Sequence, residues 1–160
     1  MVIDSSAVLA ILLAEPERER FLQAIGADHV RLISSVNALE ASMVIENRQG
    51  KAGGRELDLL FHRGGVEIVA STAEHFEVAR DAWRRFGKGN HPARLNIGDC
   101  FAYALSQVSG EPLLSKGQDF SRTDVAVAPL PGIAPTEAAA GDQAASIAST
   151  SSRKRRKRCR

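Results

Sequence analysis

Three acidic side chains stand where the sequence gives them reason to meet. Asp4 follows directly on the apolar opening of VIDSSAVLAILL, residues 2–13, and a lone charge at the end of a buried strand is costly unless something neutralises it. Glu40 lies about one turn into a helical pattern, SVNALEASMVIENR, and Asp99 falls in the first turn of another, NIGDCFAYALS. Carboxylates drawn together raise one another's pKa unless a cation intervenes. A hard divalent ion, Mg2+ or Mn2+, takes oxygen ligands and fills that role. Such a site polarises a phosphoryl oxygen and generates a hydroxide-like nucleophile, so the chemistry implied is hydrolysis of a phosphodiester. Each acid also has a structural reading. Asp4 suits a helix N-terminus through the dipole, Asn96 with Asp99 has capping-box spacing, and Glu40 can be a partly solvated helix acid.

The elements that must position these acids follow from the alternation of short β-rich runs with helical patterns over residues 1–128, the pattern of an α/β domain with helices on both faces of a parallel sheet. VID, VRLIS, VEIV, PLLS and VAVA are the expected strands. Ser5 or Ser6 can cap a first helix running to Ala14, Pro16 suits the first turn of the next, and Ser34 or Ser35 can cap the helix that carries Glu40. In that helix Val36, Leu39, Glu40, Met43 and Asn47 recur at spacings of three and four. GRELDLLFHRG reads as a further helix closing on Gly64–Gly65. STAEHFEVARDAWRRFG is expected to open with a Ser71–Glu74 capping box and to line Phe76, Ala79, Trp83 and Phe86 along a core face. Sites in open parallel sheets form outside the carboxyl ends of the strands. Asp4, Glu40 and Asp99 can all reach that edge.

Composition narrows the classes. The chain's 160 residues, 44% hydrophobic, make one domain's worth of core. Cys100 and Cys159 are too far apart in sequence and setting to suggest a disulfide framework or a thiolate metal site. No membrane span or secretory signal is legible, and a reducing, cytoplasmic setting is expected. The formal charge of +2 conceals an asymmetry: residues 129–160 carry seven Lys/Arg against two acids, while residues 1–128 carry fourteen against seventeen. The tail, rich in Pro, Ala and Ser and ending in RKRRKRCR, is expected to be disordered, with the folded domain covering residues 1–128.

The stretches VIDSSAVLAILLAEPE, SVNALEASMVIENR, RLNIGDCFAYALS and EPLLSKGQDFSRTD, in that order, resemble the PIN-domain ribonucleases of the VapC toxin family. The resemblance implies a three-layer α/β/α fold around a mostly parallel sheet of about five strands. It implies that Asp4, Glu40 and Asp99 bind Mg2+ or Mn2+ and direct a metal-activated water at an RNA phosphodiester in tRNA or rRNA. Asp119 in SKGQDF is the candidate fourth acid. Ser6 and Ser115 are candidate supports for the acids. The resemblance further implies a homodimer and a VapB-type antitoxin partner. Leu9, Leu12 and Leu13 could receive the antitoxin or belong to the domain's own core. In the loop GKGNHPARLN, Lys88, His91 and Arg94 are candidate RNA-phosphate contacts. The scattered histidines do not make a zinc site, and neither a P-loop nor a nucleophile elbow is present. The alternative is a catalytically silent PIN-like module that only binds a partner or nucleic acid.

Overall fold

Successive side chains of a strand point to opposite faces, so a two-residue strand can serve two cores. Val2 packs with Leu113, Leu105 and Tyr103 on one side of the sheet, whereas Ile3 packs with Ile33, Leu114 and Phe21 on the other. The computed structural model describes residues 1–132. Its elements run β1 (Val2–Ile3), α1 (Ser5–Leu12), α2 (Arg18–Ala27), β2 (Leu32–Ser34), α3 (Ser35–Gly64), β3 (Glu67–Val69), α4 (Ala73–Phe86), α5 (Ile97–Ser109) and β4 (Leu113–Leu114). A short 3-10 turn follows at Phe120–Arg122. The strands lie in the order β3-β2-β1-β4, and every pairing is parallel. Helices α1, α2 and α3 cover one face and α4 and α5 the other, giving the three-layer α/β/α arrangement.

The fifth expected strand is reduced to a single bridge. In VAVA, Val127 pairs with Leu113, through Leu113 N–H to the Ala126 carbonyl and Ala128 N–H to the Leu113 carbonyl, both 2.8 Å. Pro129 follows and has no N–H to extend the ladder. The sheet therefore has four strands rather than five. Leu130 still packs on the body and Arg20 donates to the Pro131 carbonyl at 2.7 Å. The tail expected from residue 129 lies outside the described residues from 133 onward.

Helix boundaries shift in ways the capping chemistry explains. Asp4 itself, not Ser5 or Ser6, caps α1, its carboxylate accepting the Ser6 N–H. The capping box of α4 is Thr72 with His75, one residue beyond the expected pair. The two helices expected between residues 35 and 64 form one element kinked at Gly50, whose φ of 62° and ψ of −157° suit glycine. The larger correction concerns Phe76 and Trp83, which are half exposed, as are Leu39 and Met43 on α3. The buried face of α4 is instead His75, Ala79, Ala82 and Phe86. Small residues let α4 approach α5 closely and turn the larger side chains outward. Among the described residues no helix is long and apolar enough to cross a membrane.

Candidate active site

Three segments far apart in sequence deliver acids to the carboxyl edge of the sheet. Asp4 leaves β1 as the cap of α1 and is 2% exposed. Its Oδ2 accepts the Ser6 N–H at 2.9 Å, and its Oδ1 accepts Asn37 Nδ2, also at 2.9 Å. Asn37 is fully buried in the first turn of α3; the same amide donates to the Gly98 carbonyl at 3.1 Å, and Ser34 Oγ donates to Asn37 Oδ1. One amide thus ties β1, α3 and α5 together beneath the site. Glu40, one turn further along α3, accepts a 2.7 Å hydrogen bond from Ser5 Oγ on Oε2.

Its carboxylate lies against Gly98, where a Cβ would stand 2.3 Å from Oε2. Asp99 follows at once. Its Oδ2 accepts the Asn96 N–H at 2.7 Å while its own N–H donates to Asn96 Oδ1 at 3.0 Å. The capping-box reading of Asp99 is therefore correct, and it leaves Oδ1 outside that pair.

Electrostatics show that the acids act on one another. Burial raises the Asp4 pKa above its ordinary value, against the hydrogen bonds from Ser6, and Glu40 adds to the rise. Asp99 is pushed up to about 6, first by desolvation, then by the charges of Asp4, Glu40 and Asp119, with the Asn96 backbone bond opposing. Among the described residues no Lys or Arg forms an ion pair with Asp4, Glu40 or Asp99.

The sequence matches the PIN domain family over residues 1–126. It is 54% identical over 131 residues to a VapC ribonuclease of Mycobacterium bovis, spanning 82% of this chain and all of that protein. The chain belongs to the VapC ribonuclease family of PIN domains. A ribonuclease VapC of Mycolicibacterium smegmatis is 55% identical over 126 residues, covering 79% of this chain and 98% of that one. Among solved structures, VapC20 of Mycobacterium tuberculosis, described as a sarcin-ricin loop cleaving toxin, superposes with a TM-score of 0.67 at 18% identity, over 81% of this chain and 98% of that one. VapBC2 of Rickettsia felis, bound to a DNA fragment from its promoter, gives 0.63 at 12% identity, over 79% and 94%.

Within this PIN domain the remaining candidates fall into different places. Ser6 Oγ accepts the Lys116 N–H at 2.9 Å, binding the end of β4 to the start of α1 beside Asp4. Ser115 is buried at the end of β4 but makes no hydrogen bond to Asp4, Glu40 or Asp99 among the described residues. Asp119 is exposed at the head of the 3-10 turn, close enough to act on Asp99. Lys88 and Arg94 are exposed on a loop pinched shut by Lys88 N–H to the Leu95 carbonyl and Leu95 N–H to the Phe86 carbonyl, both 3.0 Å. His91 is used within that loop: its Nδ1 accepts the Ala93 N–H at 3.1 Å and its ring meets Phe86 edge-on at 5.3 Å. Ser5, Asn37 and Gly98 escaped the sequence reading. Asn37, three residues after the cap Ser34 and three before Glu40, lies off the stripe of Val36, Leu39 and Met43 that helical spacing marks out, and the face that is buried is its own, with Ala38, Ala41 and Ile45.

The donor set fits a hard divalent cation. It consists of carboxylate oxygens held by hydrogen bonds, with negative charge that no Lys or Arg among the described residues pairs. Among the described residues no three Asp, Glu, His or Cys side chains converge tightly enough to enclose an ion by themselves. Mg2+ keeps several waters and takes only one or two carboxylates directly, so this spacing suits partly water-mediated binding. A pH-dependent response follows. Stability drawn from the raised Asp99 pKa is full below its ordinary value of 3.8 and lost as the pH rises through about 6, because the folded state then carries the unneutralised charge. A bound cation reverses that loss. The increase in Tm on adding Mn2+ is expected to grow between pH 5 and 7, reaching on the order of 10 °C at a hundredfold excess over Kd. A pH-independent shift in differential scanning fluorimetry would contradict this.

Proposed function

We propose that this chain is the metal-dependent endoribonuclease of a VapBC-type toxin–antitoxin pair, cutting tRNA or rRNA at the Asp4, Glu40 and Asp99 site. The observation that carries the reading is the meeting of these acids at one sheet edge with no basic ion-pair partner among the described residues. A divalent cation held there by Asp4, Glu40 and Asp99 would supply Lewis acidity for phosphodiester hydrolysis. The chain's own residues fix the geometry. Ser6 N–H and Asn37 hold Asp4, Ser5 holds Glu40, and Asn96 N–H holds Asp99 through Oδ2, leaving Oδ1 outside that bond. Asp119 serves at the rim as a fourth acid. Lys88 and Arg94 neutralise RNA phosphates, while His91 shapes their loop.

The test is cleavage of a labelled tRNA pool and of ribosomal RNA by the full chain with Mg2+, with Mn2+ and with chelator. Discrete products that vanish with chelator support the reading. A folded, metal-loaded, antitoxin-free protein that cuts neither substrate favours the silent binding module.

Two surfaces suit the expected protein partners. A groove of about 540 Å3 between α1, α2 and the second half of α3 is lined by Ile11, Leu12, Leu22 and Leu60 together with Arg18, Arg31, Arg63 and Glu56; the antitoxin seats here. Leu9 and Leu13 do not line the groove; like Leu12, Leu22 and Leu60 they pack against the body's core. The exposed Leu39, Met43, Phe76, Trp83 and Ile97 form the homodimer face. By light scattering at tens of micromolar the full chain is expected to have twice its formula mass and Trp83→Glu the single mass. A monomeric parent would remove the dimer.

A further inference from the structure

A cation stands at the rim of the acid cluster, and the structure shows it turned away. Lys116 begins beside Asp4: its N–H donates to Ser6 Oγ at 2.9 Å, and the Ser6 N–H donates to Asp4 Oδ2 at 2.9 Å. Its ammonium nevertheless reaches the turn between α1 and α2, with Nζ 2.5 Å from Glu15 Oε2 and 3.3 Å from Glu17 Oε2. That turn is shaped to present both carboxylates. Ala14 adopts a left-handed φ of 53°, and Arg18 N–H bonds the Glu15 carbonyl at 2.9 Å. Glu17 Oε2 is buried without a hydrogen bond of its own and faces the Lys116 ammonium as an ion pair.

Lysine carries a compact charge on a flexible stem. Released from the two glutamates, the Lys116 ammonium would turn to the nearby acids, which have no ion-pair partner among the described residues. There it would offset the same charge that a metal offsets. We infer that Glu15 and Glu17 hold the Lys116 ammonium off the Asp4, Glu40 and Asp99 cluster and so keep that cluster open to a divalent cation. They are positioning residues that act through Lys116. The inference rests on the reading of the cluster as a cation site.

The test is Mn2+ titration of the full chain by calorimetry at low salt, comparing the parent with Glu15→Gln/Glu17→Gln, Lys116→Met and the triple variant, with circular dichroism confirming the fold. The glutamate pair variant is expected to bind Mn2+ about tenfold more weakly, a modest fraction of what one unit charge exerts at close range. Lys116→Met alone should bind within about threefold of the parent, and the triple variant should return to that level. Added salt should shrink the difference. If the three residues only brace the turn, Lys116→Met weakens binding as much as the glutamate pair and the triple variant does not recover, which overturns the inference. Should the pair fail to fold, Glu15→Gln alone carries the same sign. A parent without saturable Mn2+ binding overturns the cation site itself. A parent that binds while every variant matches it overturns only the clamp.

Discussion

Asp4→Asn should leave a protein that folds but cuts far more slowly. In chelator at pH 7 its Tm should stay within a few degrees of the parent, because two consequences of the substitution oppose each other. Removing a buried charge relieves desolvation, the main cause of the raised Asp4 pKa. Against that, Asp4 accepts from two donors, Ser6 N–H and Asn37 Nδ2. An asparagine offers one acceptor oxygen and turns an NH2 toward the other donor. RNA cleavage should fall by roughly 10²–10³-fold, the scale seen when one charge-stabilising group leaves a preorganised site. The Mn2+-dependent rise in Tm should shrink with it. Cleavage retained within tenfold would remove Asp4 from the chemistry, whatever became of the Tm.

Gly98→Ala tests the site from the opposite direction, by adding a methyl group. Alanine is the better helix former by about 1 kcal/mol in a helix interior, so propensity alone favours the substitution. The new Cβ, however, would stand 2.3 Å from Glu40 Oε2 and 2.9 Å from its Cδ. Something must move, and the carboxylate at the end of a flexible side chain moves most easily, giving up its bond from Ser5. The expected result is an unchanged or slightly higher Tm and cleavage reduced about 10–100-fold, the usual cost of disturbing a group that orients a metal ligand. Since both changes act through one carboxylate, Gly98→Ala with Glu40→Gln should lose little more than Glu40→Gln alone. Additive losses would show that Gly98 acts elsewhere.

Much of this arrangement was legible in the sequence, and what was missed has physical causes. Asp4 could be placed because an apolar run ending in an acid and followed by serines is strand, then cap, then helix. Asp99 could be placed because Asn96 announces the start of α5. Asn37 was hidden because its three bonds go to β1, α5 and Ser34, and two of those partners are distant in the chain. Gly98 was hidden because nothing in NIGD reveals a carboxylate arriving from α3. Phe76 and Trp83 were misplaced because helical spacing reports that a face is apolar, not whether this chain or a partner covers it. The fifth strand was overcounted because β propensity in VAVA does not register that its ladder ends at Pro129.

The brevity of β1 has one more consequence. Two residues set its register, Val2 opposite Leu113 and Ile3 opposite Leu114, and the next residue is Asp4. A slip by one position would send Val2 and Ile3 into each other's core and carry the acid away from Asn37 in the same movement. Sheet alignment and assembly of the acid cluster are therefore a single event. If cleavage runs through Asp4 as proposed, a chain that pairs its strands wrongly is also disarmed, and the cutting edge forms only once the fold is correct.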